Sequence, residues 1–353
     1  MIEILGAGPA GLCAAINLSK EGERVRVCEQ RTEPGMRFHE NLQGIKDVGD
    51  VPEFIRGMNL NPKIEYRYFK KAYFGTRDSD FELDVSKSKT AFVARGGKRS
   101  LEYALFLQAE QEGVDFEFSS KKDGQSSLIV ATGSSRADAA AVGSVFEDTD
   151  FPRDHYLVMF DDRYSPKGWY SYIIPISKDQ VEFVNCVSWP YIPMVARLHE
   201  KAISERKVVR DFLSGKRKVA SFGGSGGAVV PKSAFLGGKY YVGEAAGFQD
   251  PFMGFGIAYA LKSGYLAAKA ITEKKDYDLL WKEAFMANLR KDFASRLPMS
   301  IFGDRLVCMG MEKYRTGKSD DLAQAMPKLP FHSAIEEVCF RLAVLKQQAT
   351  GRL

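Results

Sequence analysis

The chain is predicted to be α/β in class, and α+β overall. It has a doubly wound parallel layer, an antiparallel sheet beside it and a helical C-terminal segment. Three observations carry this. A glycine-spaced turn joins the first strand to the first helix, two later stretches are rich in short β segments separated by polar turns, and the pattern beyond residue 272 is helical. With 353 residues, 45% hydrophobic and 27% charged, the chain suits one compact protein of two or three subdomains and is too apolar for disorder.

Met1-Ile2-Glu3-Ile4-Leu5 forms a short strand. Gly6-Ala7-Gly8-Pro9-Ala10-Gly11 follows, then an alanine- and leucine-rich helix to Lys20, a Glu21-Gly22-Glu23 turn and the strand Arg24-Val25-Arg26-Val27-Cys28-Glu29. A crossover helix between two strands within about 30 residues is the unit of a parallel sheet. Glycine, asparagine and charge make 35–50 an ordered loop. Residues 72–74, 81–85 and 90–94 form one antiparallel insertion. An amphipathic helix at 101–112, a strand at 114–118 and the apolar strand 127–131 return the chain to the parallel layer. A second antiparallel stretch has strands at 156–160, 169–176 and 181–187. A basic helix at 193–213 leads to the glycine run 223–227, expected to be flexible. Lys239-Tyr240-Tyr241-Val242 is a last parallel strand, and 256–272 a helix. The expected division is a nucleotide-binding domain of 1–71, 95–150 and 232–272, a substrate domain of 72–94 and 151–231, and a helical region of 273–353.

Lysine plus arginine is 50 against 45 acidic residues, a net charge of +5, too little for a nucleic-acid surface. Residues 1–261 carry equal numbers of each sign, so the surplus lies in 262–353. That tail is either an ordinary solvated face or one that leans on an anionic membrane surface. The five cysteines, Cys13, Cys28, Cys186, Cys308 and Cys339, are an odd set without C-x-x-C spacing, against a disulfide framework, a zinc site or a redox dithiol. A cytoplasmic protein, soluble or peripheral at the membrane, is expected. No apolar window of about 18 residues is free of charge.

Gly6-x-Gly8-x-x-Gly11 between strand and helix is a dinucleotide fingerprint. The first glycine makes the turn, the second admits a pyrophosphate, the third lets helix and strand approach, and the helix N-terminus faces the phosphates. Glu29, at the end of the second strand, is placed for both ribose hydroxyls of the adenosine. A choice of FAD over NAD comes from Tyr241-Val242-Gly243-Glu244-Ala245-Ala246-Gly247 followed by Asp250-Pro251-Phe252-Met253-Gly254-Phe255-Gly256 and a helix. A strand ending in an acid can bind a ribityl chain, and a glycine-bracketed helix start can aim N–H groups at the pyrimidine side of a flavin. Ala131-Thr132-Gly133 ends the strand between them. Only one fingerprint is present, so no second Rossmann domain delivers NAD(P)H.

Gly-Glu-Ala-Ala-Gly, Asp-Pro, Gly-x-Gly-Ile and Ala-Leu-Lys-Ser-Gly-x-x-Ala-Ala, between Gly243 and Ala268, resemble the flavin motif of the geranylgeranyl reductase family, within the p-hydroxybenzoate-hydroxylase-like flavoproteins. The likeness extends over most of 1–272. It implies a Rossmann-like FAD-binding domain with the isoalloxazine between it and the antiparallel domain. Glu29, Gln30, Arg31 and Arg99 would hold the adenosine and diphosphate with Gly6, Gly8, Pro9, Ala10 and Gly11. Ala131, Thr132, Gly133 and Glu244 would follow the middle of the cofactor, and Pro251, Gly254, Phe255 and Gly256 the ring.

The sequence departs from that family in three places. Glu244 stands where aspartate is usual, one methylene longer. The family's Tyr-x-Trp-x-Phe-Pro strand reads Tyr170-Ser171-Tyr172-Ile173-Ile174-Pro175. The loop that often carries a cysteine reads Arg37-Phe38-His39-Glu40-Asn41-Leu42. The same strand also approximates the Trp-x-Trp-x-Ile-Pro of flavin-dependent halogenases, with both tryptophans replaced. Tyr170 and Tyr172 are either an aromatic pair on one face of a core strand or proton donors over the ring. His39, with Glu40, is either an acid-base group or a solvated loop residue. His155, His199 and His332 read as surface or turn positions without metal-ligand spacing.

The leading expectation is an FAD-dependent oxidoreductase passing hydride from flavin N5 to an alkene of an isoprenoid or other apolar substrate, with Tyr170, Tyr172 and His39 as candidate acids. An aromatic monooxygenase and a non-redox flavoprotein, such as a cyclase or binding module, are the alternatives. The electron donor is left open among NAD(P)H, reduced ferredoxin, a quinol and a deazaflavin. Leu279, Leu280, Trp281, Phe285, Met286 and Leu289 recur at helical spacing, a packing stripe against the nucleotide-binding domain in preference to a membrane anchor.

Overall fold

The computed structural model describes residues 1–38, 40–46, 48–121, 126–315 and 333–350, and His39 and His332 lie outside them. The first half-turn of sequence builds the nucleotide layer as its pattern requires. Strands Ile2–Leu5 and Val25–Cys28 pair in parallel, Ile4 opposite Val27, with the crossover helix Pro9–Lys20 between them. Ile129–Val130 lies on the other side of the first strand, followed outward by Lys239–Tyr241 and Phe235–Leu236, while Asp115–Glu117 closes the opposite edge. The apolar residues of these strands and of helix Pro9–Lys20 pack with helices Leu101–Gln111, Ile257–Thr272 and Tyr277–Phe302 into the largest core.

A broad seven-stranded sheet forms the second layer. Its order is Arg217–Gly226, Ala139–Glu147, Val181–Ser188, Ser171–Pro175, His155–Met159, Lys71–Gly75 and Asp80–Asp84. All neighbours are antiparallel except His155–Met159 with Lys71–Gly75. Period-2 alternation sends Tyr172, Ile174 and Val184 to one face and Ile173 and Phe183 to the other. The second face is covered by helices Val195–Glu205 and Lys207–Leu213.

Five expectations are corrected. Residues 35–50 are not all loop: Asn41–Ile45 is a strand, paired antiparallel with Ala91–Arg95, which with Tyr66–Arg67 makes a small third sheet. The 90–94 segment therefore leaves the insertion it was expected to join. The alternating burial of Ala91, Val93 and Arg95 faces it to Pro9–Lys20 and its neighbours instead. The run 223–227 is not a flexible linker, because Gly223 to Gly226 lie in the outermost strand, opposite Val142 to Ala139, where small residues let two backbones lie flat. Ala139–Glu147, expected with the nucleotide-binding layer, is a strand of the broad sheet. The basic helix is broken at Arg206, whose extended backbone (φ −76°, ψ 111°) lets its guanidinium reach the Thr76 carbonyl and Asp80.

The tail holds helices Tyr277–Phe302, Asp304–Arg315 and Ser333–Thr350. Trp281, Phe285 and Leu289 are buried in the main core, as the packing stripe required, while Leu279 points outward. Among the described residues no helix is long and apolar enough to cross a membrane.

Candidate functional site

A large cavity of about 2150 Å³ runs between the carboxyl ends of the parallel strands and the inner face of the broad sheet. That is the crevice where open α/β sheets bind ligands. It is two or more times the volume of a typical small-molecule pocket, about 300–1,000 Å³, so it has room for two occupants.

At one end the fingerprint does what its spacing demands. A Cβ on Gly11 would lie 2.0 Å from the Gly6 carbonyl oxygen, whereas one on Gly8 would meet nothing within 4 Å. Gly11 therefore serves the approach of helix to turn and stays out of the wall, while Gly8 opens onto the cavity beside Gly6, Pro9 and Ala10. No side chain caps helix Pro9–Lys20, which leaves its first N–H groups for a ligand. Glu29 is held in place by the Ala7 N–H at 2.9 Å and the Arg31 N–H at 3.0 Å, one to each carboxylate oxygen. Gln30 and Arg31 line the same end.

Arg99 does not. Its guanidinium is 68% exposed, 3.9 Å from Glu40, and it is no part of the wall. The arginine that turns inward is Arg95, four residues earlier. It donates to Glu102 at 2.5 Å and to Gln43, and it stacks on Phe38. Glu102 Oε2 is buried without a partner. The Arg95-Gly96-Gly97-Lys98-Arg99 run offered both arginines. Residues 91–95 read Ala-Phe-Val-Ala-Arg, with no apolar-polar alternation, so the alternating burial seen in the strand is what marks Arg95 as the inward one.

Midway, Ala131, Thr132, Gly133 and Glu244 face the cavity. Glu244 Oε1 accepts from Gln249 Nε2 at 3.4 Å, and its Oε2 is buried with no partner, an acceptor that a ribityl hydroxyl suits. At the far end, Asp250 ties the turn that follows. Its Oδ1 accepts from the Phe252 N–H at 2.7 Å and the Met253 N–H at 3.2 Å, and its own N–H donates to Phe255 O. Pro251, Gly254, Phe255 and Gly256 line the wall, and helix Ile257–Thr272 begins there without a side-chain cap. An open glycine cradle, an orphaned carboxylate oxygen and two uncapped helix starts in one groove fit the diphosphate, ribityl chain and ring of FAD.

Past the ring end the wall turns apolar, with Phe74, Tyr156, Val158, Phe160 and Ile174 of the broad sheet and Phe92 of the small one. Tyr170 and Tyr172 stand between the two halves, ring centroids 6.1 Å apart. The Tyr170 hydroxyl donates to Met253 O at 2.5 Å, tying the broad sheet to the ring-end turn. Tyr172 makes no hydrogen bond among the described residues. Burial pushes both phenols well above their ordinary value, so both stay protonated. Glu182, which the sequence did not single out, lies on the same sheet face. It is fully buried, its Oε2 accepts from the Leu42 N–H at 3.3 Å, and burial holds it well above the carboxylate range.

The two other described histidines lie away from the cavity. His199 bonds Ser144 Oγ at 2.9 Å on the far side of the sheet, and His155 lies between Asp154 and Glu82. No cluster of metal-ligating side chains occurs among the described residues, and their cysteines are all free.

Comparison with known proteins agrees with this geometry. Residues 4–70 match the NAD(P)-binding Rossmann-like domain family. The whole fold is similar to a geranylgeranyl bacteriochlorophyll reductase-like protein from Thermoplasma acidophilum, at 16% identity and a TM-score of 0.70, covering 99% of this chain and 98% of that one. It is similar as well to a flavin-dependent brominase, at 16% identity and a TM-score of 0.62 over 99% of both chains. A third is 2-methyl-3-hydroxypyridine-5-carboxylic acid oxygenase, at 15% identity and a TM-score of 0.55 over 98% of this chain and 97% of that one. At these identities the likeness establishes the fold.

Proposed function

We propose that the chain is an FAD-dependent oxidoreductase that reduces an alkene in an isoprenoid or similarly apolar substrate. The observation that carries this is the continuity of the cavity. A groove suited to the cofactor opens at its ring end into a chamber walled by Phe74, Phe92, Tyr156, Val158, Phe160 and Ile174. Of the solved structures named above, the reductase-like protein has the highest TM-score.

FAD, when bound, supplies hydride at N5. The protein's part is to bind, orient and keep dry. Gly8, the uncapped start of helix Pro9–Lys20 and Glu29 anchor the nucleotide half. Tyr170 holds the ring-end turn through Met253. An unactivated alkene accepts hydride only as a proton arrives at its other carbon, so a group that keeps its proton in a dry chamber is required. The Tyr172 hydroxyl, protonated and unengaged, meets that requirement. His39 lies outside the described residues.

The test is anaerobic. Protein loaded with FAD and reduced with dithionite is mixed with a polyprenyl compound, and flavin absorbance is followed. Stoichiometric reoxidation with a saturated product is the expected result. Substrate turnover with no change of flavin oxidation state would favour the non-redox alternative, and oxygen-dependent consumption of NAD(P)H with aromatic compounds the monooxygenase.

A further inference from the structure

Behind the ring end of the cavity lies a charged cluster with no part in the reading above. Lys46, in the cavity wall, extends its ammonium to two carboxylates, 3.0 Å from Asp250 Oδ2 and 3.1 Å from Asp292 Oδ1. Asp250 is committed to the ring-end turn through its other oxygen. Asp292 is buried, and its Oδ2 accepts the Tyr259 hydroxyl at 3.0 Å. The contributing elements are the segment after strand Asn41–Ile45, the 250–256 turn, helix Ile257–Thr272 and helix Tyr277–Phe302. Arg296, one turn along from Asp292, directs its donors to the Lys167 and Gly168 carbonyls and stacks over Trp169.

Two carboxylates thus share one ammonium in a desolvated place. Keeping both ionised is unfavourable, and the one without backbone donors gives way. Burial, and after it the Asp250 charge, push Asp292 up to about 7, against the pull of Lys46 and the Tyr259 hydroxyl.

We propose that Lys46, Asp250 and Asp292 form a redox-linked proton site for the bound cofactor, in which Asp292 takes a proton from solvent when the flavin is reduced and returns it on reoxidation. The proposal rests on the FAD reading above. Two electrons and one proton entering an oxidised flavin protonate N5 and leave a negative charge on the ring. A new anion near two carboxylates makes their joint ionisation costlier, and the Asp292 carboxylate becomes a carboxylic acid. With dithionite the balance is two electrons from the reductant and two protons from solvent, one to N5 and one to Asp292, so the summed charge of ring and cluster is unchanged; a nicotinamide-class donor brings the N5 proton with its hydride and leaves one proton to come from solvent. Asp292 is a positioning residue for charge, acting through Lys46 and Asp250, which face the cavity.

The experiment is a potentiometric titration of the FAD-loaded protein with dithionite and mediator dyes between pH 7 and 8.5. Wild type should fall by about 59 mV per pH unit and Asp292→Asn by about 30 mV, the slopes for two and one protons per two electrons. After subtraction of the protons that dithionite itself releases on oxidation, an indicator dye in weakly buffered solution should count about two protons taken up per flavin in wild type and one in the variant, by the same balance. Tyr259→Phe, which removes a donor to Asp292, should move the onset of the steep range to higher pH and keeps the proposal testable if Asp292→Asn does not fold. Equal slopes and proton counts, or an onset unmoved in Tyr259→Phe, would overturn it. A protein that takes up no FAD overturns the cofactor reading and this proposal with it, whereas a yellow protein with equal slopes overturns this proposal alone.

Discussion

Two glycines five and two residues into the opening turn separate folding from binding. An alanine methyl at Gly11 would press on the Gly6 carbonyl, which is backbone and cannot turn aside. Gly11→Ala should therefore lose about 1–3 kcal/mol in denaturant titrations, the cost of overpacking. Gly8→Ala adds its methyl to open space and should melt like wild type while binding FAD at least tenfold more weakly, measured by quenching of flavin fluorescence. Equal effects of the two substitutions would contradict the division of labour. The two tyrosines divide similarly. Tyr170→Phe removes the bond to Met253 and should cost about 1 kcal/mol in stability. Tyr172→Phe should leave stability unchanged and lower turnover about 10²-fold or more, the usual worth of a placed proton donor. These roles were partly legible in the sequence. The spacing of the glycines placed the phosphates, and the alternation of 170 and 172 placed both rings on one face. Which hydroxyl is free depends on Met253, eighty-three residues away in sequence. The choice between Arg95 and Arg99 likewise turned on which one the small sheet buries.

At the scale of elements, helix Val195–Glu205 docks on the far side of the broad sheet through His199, which stacks on Phe183 and bonds Ser144. Burial lowers the His199 imidazole to about 4 from an ordinary 6.5. Between those values the unfolded chain binds the proton and the folded chain does not. Stability is therefore fully present above pH 6.5 and falls as pH drops toward 4, by about 3 kcal/mol in all. His199→Gln should flatten that limb in a series of urea titrations, even if its plateau is lower, and a limb of unchanged slope would assign the acid sensitivity elsewhere. Helix Tyr277–Phe302 is fixed by Trp281, fully buried in the main core, and by Asp278, which accepts the Ala234 N–H at 2.8 Å. Trp281→Ala should cost about 3–5 kcal/mol and unseat the helix that carries Asp292. Periodicity found this helix because its apolar stripe is long. It missed strand Asn41–Ile45 because five residues containing a glycine and two polar side chains show no pattern until their partner strand is known.

For the whole molecule, the layered architecture was readable because each layer advertises its own period, while the seam between layers was not. Ala139–Glu147 is the next strand after the parallel strand Ile129–Val130, and only its pairing with Val181–Ser188 and Arg217–Gly226 assigns it to the other sheet. The cavity forms at that seam, so a ligand there links both layers. Added FAD at a hundred times its Kd should stabilise the fold by about 2.7 kcal/mol, seen as a rise in Tm that Gly8→Ala cuts by about half or more at the same FAD concentration. A Tm indifferent to FAD in wild type would argue against the site.

The outermost strand of the broad sheet, Arg217–Gly226, has one further consequence. A ten-residue strand with a free margin invites another copy of the protein to pair along it. Arg217 and Lys218 guard one end with charge, and at the glycine-rich end Arg37 reaches across from the nucleotide layer to occupy the Ser225 carbonyl at 2.8 Å. The same arginine lines the cavity, so a ligand that drew it inward would take this donor from the Ser225 carbonyl and leave that point of the edge to its charged neighbours alone.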